Sequence, residues 1–118
     1  MTLEECYHTL HGDYNEAKNR LMNDSLIERF ILKFPEDPSM ATLREKIAAG
    51  DNAAAFRAVH TLKGVAINLA FTQLFKDASN LTEQMRDLQH DADPELYGTL
   101  QASYNHVIDT LRAYQADR

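Results

Sequence analysis

A histidine, a lysine and a glycine stand at positions 60, 63 and 64, in a stretch whose apolar residues recur at helical spacing. Imidazole is a usable nucleophile at neutral pH, because an ordinary histidine pKa of about 6.5 leaves its neutral form well populated. A lysine one helical turn away can balance negative charge that arrives on the ring. A glycine at the following position removes a side chain that would hinder a partner. These three residues predict a nucleophilic site at His60 that can carry an anionic group.

The helix that would hold this site runs from about residue 52 to residue 70. Its core-facing residues fall within an arc of about 120° and are rich in alanine: Ala55, Ala58, Val59, Leu62, Val65, Ala66 and Leu69. His60 falls on the opposite face and is predicted to be at least partly exposed. Phe56, Ile67 and, if the helix continues, Phe71 share that outer face. The apolar side chains of Phe56 and Ile67 could contact a partner or could be covered by residues 24–34, and the sequence leaves both alternatives open.

The rest of the chain is also patterned as helix, and no stretch alternates at period 2. We predict an all-α fold whose core is an antiparallel up-down four-helix bundle of about 38–50, 52–70, 72–90 and 94–116, because the connections are short. Residues 1–36 are predicted to form helices that cap one end or side of this bundle. Together they would make a single domain that spans 1–118.

Composition narrows the classes of partner. The 118 residues carry 12 Lys and Arg against 18 Asp and Glu, a net charge of −6, with no basic cluster. Such a surface is poorly suited to nucleic acid or anionic lipid, so protein partners are predicted. The chain has one cysteine, Cys6, and so can form no internal disulfide, which suits a reducing cytoplasm. We expect the protein to be a monomer. No apolar run approaches the roughly 20 residues of a membrane span.

Metal chemistry and cysteine chemistry are weaker alternatives. His8 and His11, or His90 with its neighbouring aspartates Asp91 and Asp93, could contribute to a metal site. Neither set has a second pair of ligands at suitable spacing, so these side chains are predicted to lie on the surface and no metal is predicted. Cys6 has no catalytic neighbours in the sequence and is predicted to be a small core residue.

The segment from His60 to Phe71 reads HTLKGVAINLAF, and it resembles the signature of the histidine-phosphotransfer (HPt) family. The preceding Ala49-Gly50-Asp51 turn is similar to the turn that leads into the phosphohistidine helix of that family. The resemblance is close over about 43–90 and looser over about 24–115. The motif is specific because it occurs in an all-helical chain of the right length.

This resemblance implies a phosphocarrier in a bacterial-type phosphorelay, in which His60 is phosphorylated and Lys63 and Gly64 complete the reactive site. The implied partners are response-regulator receiver domains, with a hybrid sensor histidine kinase as a further candidate. No cofactor is implied for this chain, since Mg²⁺ would sit on the receiver, and no ATP-dependent kinase activity is expected. The implied partner-binding residues are those around His60, namely Phe56, Arg57, Ile67, Asn68 and Phe71.

Two positions depart from the family pattern. Ala70 stands where members commonly have a second glycine, and we expect only a slightly stiffer helix end. Thr82 stands where many members have Glu or Gln beside the imidazole, so we predict it as a supporting residue, while Glu83 is expected to point elsewhere. Other function classes remain open: a helical adaptor that binds a receiver or kinase without transferring phosphate, and a metal-dependent helical enzyme.

Overall fold

Helices and their connecting turns account for residues 1–117, which the computed structural model describes; Arg118, the last residue of the predicted domain, lies outside the described residues. Seven α-helices lie in this range: α1 (Leu3–Thr9), α2 (Tyr14–Leu21), α3 (Asp24–Lys33), α4 (Ser39–Ala48), α5 (Asn52–Asn68), α6 (Thr72–Gln84) and α7 (Pro94–Ala116). A 3₁₀ turn at Phe34–Glu36 joins α3 to α4. The prediction of an all-α fold is confirmed, since residues 1–117 contain no strand.

Helices α4 to α7 form the bundle, and each packs against the next. The Asn52 amide at the start of α5 donates to Asp91 in the turn after α6, at 3.0 Å, so α5 and α6 run in opposite directions. The Arg44 side chain on α4 donates to Gln101 and Asn105 of α7, each at 3.3 Å, which closes the ring of four helices. This arrangement is the predicted antiparallel bundle.

The helix boundaries follow from capping side chains. Asn23, Asp51 and Asp93 each accept a hydrogen bond from the backbone three residues later, so they begin α3, α5 and α7. Asp37 accepts from the backbone of Ser39 at 2.9 Å, immediately before α4. Pro94 occupies the first position of α7, where its fixed φ suits the helix and its missing N–H costs no hydrogen bond.

Helix α5 ends at Asn68, two residues before the predicted end, because Ala70 adopts the left-handed conformation with φ of 58°. The Phe71 N–H donates to the Ala66 carbonyl at 2.9 Å, and the Ala70 N–H donates to the Ile67 carbonyl at 3.1 Å. These two bonds form a Schellman motif. The expectation that Ala70 merely stiffens the helix end is therefore wrong: it sits where an L-residue costs roughly 1–2 kcal/mol.

Helix α6 is also shorter than predicted, and ends at Gln84 rather than near residue 90. The chain leaves the helix through Met85 and reaches a left-handed residue at Leu88, with φ of 62°. The Gln84 side chain then bridges the connection, because it donates to the Asp91 carbonyl at 3.0 Å and accepts from the Asp93 N–H at 2.8 Å.

The N-terminal helices cover the end of the bundle where α5 turns into α6. The buried Tyr7 hydroxyl donates to the Leu69 carbonyl at 2.7 Å, and the Asp13 N–H donates to the Ala70 carbonyl at 2.9 Å. Cys6 on the same helix is fully buried, as predicted, and burial raises the pKa of its thiol to about 11. These bonds fasten α1 and α2 to the last turn of the helix that carries His60.

We predict that Gly12→Ala lowers the free energy of unfolding by about 1–3 kcal/mol. A Cβ at this position would lie 2.7 Å from the Ala70 carbonyl oxygen and 2.8 Å from the side chains of Leu10 and Tyr7. The matched control is Gly98→Ala in α7, where nothing lies within 4 Å and helix propensity should raise stability by about 0.5–1 kcal/mol. Urea titration of both variants measures the difference, and equal stabilities would contradict the close approach at Gly12.

Candidate functional site

One face of α5 is buried and the opposite face presents His60. Ala55, Leu62 and Ala66 are wholly buried in the bundle, and His60 is exposed, as the helical spacing predicted. Val65, predicted as a core residue, is only half-buried. Its side chain lines a groove of about 910 Å³ between the end of α5 and α2–α3, which Leu21 and Phe30 also line.

The imidazole of His60 lies on an aromatic ring. The centroid of the Phe56 ring is 5.9 Å from that of His60, and the two planes are inclined by 25°. The guanidinium carbon of Arg86, in the turn after α6, lies 5.5 Å from the same Phe56 centroid. Phe56 is therefore half-buried between α5 and the α6–α7 connection, and its neighbour is Arg86 rather than the segment 24–34 that the sequence had left as a candidate.

Lys63 extends from α5 towards α6. Its ammonium nitrogen lies 6.0 Å from the ring centroid of Phe75, at the outer limit of a cation–π contact. The side chain is half-buried. Because residues three apart are neighbours on a helix, the lysine and His60 still share one side of α5.

Gly64 leaves open space next to His60. A Cβ built on this glycine would find no atom within 4 Å outside its own local helix backbone. The residue is therefore not required for close helix packing. Since glycine costs about 1 kcal/mol relative to alanine inside a helix, an open glycine here calls for a reason other than folding.

A carboxylate does stand near the imidazole, one residue from position 82, where many members of the HPt family have Glu or Gln. The Thr82 side chain is fully buried and its hydroxyl donates to the Ala78 carbonyl at 2.7 Å, so Thr82 does not support His60. Glu83 is exposed, and its carboxylate is bound by Arg86, whose guanidinium lies over the Phe56 ring. Hydrogen bonds from Arg86 hold the pKa of the Glu83 carboxyl below its usual range, with smaller contributions from Lys63 and His60.

The helical phase of α6 could have located this carboxylate. Ala78, Leu81 and Met85 define the buried stripe of the helix, and Thr82 lies one turn from both Ala78 and Met85. Glu83 is the next residue around the helix and leaves the stripe. The predicted helix of 72–90 included Arg86, whereas the residue lies in the turn after α6, and the course of that turn brings it over Phe56.

The predicted partner-binding residues separate into two groups. Arg57 and Asn68 are exposed and Phe56 and Ile67 are half-buried, so all four contribute to the surface around His60. Phe71 does not, because the turn at Ala70 directs it into the core, where it is fully buried. Its ring lies edge-on against Phe34 with a centroid distance of 5.3 Å and also contacts Tyr7 at 5.9 Å. The prediction of Phe71 as a partner-binding residue is wrong.

Within the part of the chain that is described, no group of three or more His, Cys, Asp or Glu side chains is placed to hold a metal ion. His8 and His11 are both exposed, as predicted. The His11 ring stacks on that of His106 with a centroid distance of 5.2 Å. None of the helices among residues 1–117 is long and apolar enough to cross a bilayer.

The comparison with protein families agrees with this geometry. The Hpt domain model matches residues 25–113, which is well over half of the chain. The chain therefore belongs to the Hpt domain family, whose members are phosphocarriers in phosphorelays. The match spans α3 to α7 and begins after α1 and α2. No curated protein and no solved structure gave a significant match.

We predict that Thr82→Val leaves phosphorylation of His60 unchanged and lowers the free energy of unfolding by about 1 kcal/mol or less. Valine has nearly the shape of threonine, and the Ala78 carbonyl keeps its place in the backbone ladder of α6. Thermal denaturation and labelling with a phosphorylated receiver test the two parts separately. A large loss of labelling in a folded Thr82→Val protein would restore a direct role for the hydroxyl.

Proposed function

We propose that this chain is a phosphocarrier that accepts a phosphoryl group on His60 from a phospho-aspartyl receiver domain and passes it to another receiver. The observation that carries the proposal is the exposed imidazole of His60 on α5, which lies within the residues that match the Hpt domain model. Lys63 at i+3 and the open space at Gly64 support it, because transfer needs a nearby cation and access for a second protein.

The transfer exchanges one bond for another. A neutral imidazole nitrogen, for which the outward Nε2 is the geometric expectation, attacks the phosphorus atom. A P–N bond forms as the P–O bond to the receiver aspartate breaks, and the aspartate carboxylate leaves with the bonding electrons. The other ring nitrogen then releases its proton to solvent. The reverse sequence returns the group to a receiver carboxylate, and positioning and charge dominate in both directions.

The partners follow from this chemistry. Receiver domains would supply the aspartate and the Mg²⁺, and a hybrid sensor histidine kinase could supply one such receiver. His60, Lys63 and Gly64 offer no means of binding ATP, so we propose that the chain does not phosphorylate itself. We further propose that it acts in the cytoplasm as a monomer, with Arg57, Ile67 and Asn68 at the edge of the docking surface.

The experiment mixes the purified chain with a panel of receiver domains that have been loaded by acetyl phosphate. We expect acid-labile, base-stable phosphate on the wild-type chain and none on His60→Gln. The matched control is His8→Gln, which removes another exposed histidine and should be labelled as the wild type is. Binding of a receiver without any labelling would overturn the proposal in favour of a non-catalytic adaptor.

The Gly64→Leu variant distinguishes an effect on the partner's access to His60 from an effect on the stability of the fold. A Cβ at this position meets no neighbouring atom within 4 Å, and the helix propensity of leucine should raise the free energy of unfolding by about 0.5–1 kcal/mol. Its side chain projects beside His60, so we expect the rate of transfer to fall by about tenfold or more. Gly64→Ala, which adds one methyl group, is the control and should lose much less. Single-turnover kinetics measure the rate of phosphoryl transfer in each variant. A normal rate in Gly64→Leu would show that this glycine does not clear space for the partner.

A further inference from the structure

An exposed ion pair stands beside the proposed phosphorylation site. Arg86 donates to both carboxylate oxygens of Glu83, at 2.7 Å and 3.0 Å, in a bidentate arrangement. Both side chains remain about half exposed, at 51% and 57%. The pair therefore faces solvent, and neither charge is buried by the fold.

This pair reaches His60 through direct contacts. Arg86 covers the Phe56 ring, and the Phe56 ring lies against the imidazole. Lys63 extends from α5 towards the same helix as Glu83. The lowered pKa of the Glu83 carboxyl agrees with this placement, since it owes most to Arg86 and smaller parts to Lys63 and His60. The site thus contains the Glu83 carboxylate, the basic side chains of Lys63 and Arg86, and the exposed Arg57 on α5.

We propose that Glu83 opposes the charge of phosphorylated His60 and that Arg86 limits this opposition, so that the pair sets how the phosphoryl group is divided between this chain and its receiver. The inference rests on the proposed phosphotransfer function. It assigns to Glu83 a role through charge alone, since the carboxylate is bound to Arg86 and forms no hydrogen bond with the imidazole.

The physical argument compares the two states of the histidine. A phosphoryl group brings roughly two negative charges to the ring at neutral pH. Glu83 then meets a like charge, while Lys63 and Arg86 meet an opposite one. When the P–N bond breaks and the P–O bond to the receiver forms, the repulsion is relieved. Glu83 therefore favours transfer away from His60, and Arg86 favours retention of the phosphoryl group.

Solvent exposure limits the size of the effect. Exposed charge pairs contribute about 0.2–1 kcal/mol, which corresponds to an equilibrium shift of about 1.4- to 5-fold. Salt must reduce it further, because the screening length falls from about 10 Å at 0.1 M to about 3 Å at 1 M. A structural role of Glu83 would not show this dependence on salt.

The test measures the equilibrium ratio of phosphorylated chain to phosphorylated receiver, with one receiver that exchanges phosphate with the wild type. We expect Glu83→Gln to raise this ratio about two- to fivefold at low salt, and Arg86→Gln to lower it by a similar factor. Glu4→Gln, which removes an exposed carboxylate from α1, is the charge-matched control and should leave the ratio unchanged. At 1 M salt both shifts should shrink towards the wild-type value.

Two failures are distinguishable. A wild-type chain that no receiver labels would refute the proposed function. The charge-setting role alone would be refuted if the wild type is labelled but Glu83→Gln has the same ratio of phosphorylated chain to phosphorylated receiver. It would also be refuted if Glu83→Gln and Arg86→Gln shift this ratio in the same direction. A shift that persists unchanged at 1 M salt would also overturn it in favour of a structural effect.

Discussion

The burial of the alanine-rich face of α5 is the constraint on which the rest of the structure depends. Ala55, Ala58 and Ala66 are small enough to let neighbouring helices approach closely, and all three are buried. Once that face is buried, the helix cannot rotate without exposing it and losing its packing. His60, about half a turn away, is thereby held on the surface. The same constraint fixes the directions in which Lys63 and Gly64 face.

A second level of organisation comes from the neighbouring helix. Helix α6 contributes Phe75 beneath Lys63 and the Glu83 carboxylate that binds Arg86, and the turn after it contributes Arg86 over Phe56. The histidine thus lies between a rigid helix and the beginning of a connection that is held by Gln84. Side chains from both elements shape the electrostatic environment of one exposed ring, and neither helix could do so alone.

The sequence predicted what depends on local periodicity and capping. The bundle, the exposure of His60 and the burial of Cys6 all follow from spacing and residue type within a few turns. The predictions made from the sequence were wrong where the backbone leaves a helix. The left-handed Ala70 turns Phe71 inwards, and no glycine marks the position. The role of Arg86 depends on the path of a turn, which is set by tertiary contacts that spacing does not encode.

The attachment of α1 and α2 to the end of α5 makes these two helices part of the folding unit. The family match begins at residue 25, yet the Leu69 and Ala70 carbonyls at the end of α5 are bonded by Tyr7 and Asp13. Without those partners, the Leu69 carbonyl would lose its buried donor and the aromatic core at Phe71 would lose one wall. The smallest piece able to hold the reactive helix in this shape is therefore larger than the segment that defines its family. The residues that match the family model and the residues that support α5 therefore have different borders in this protein.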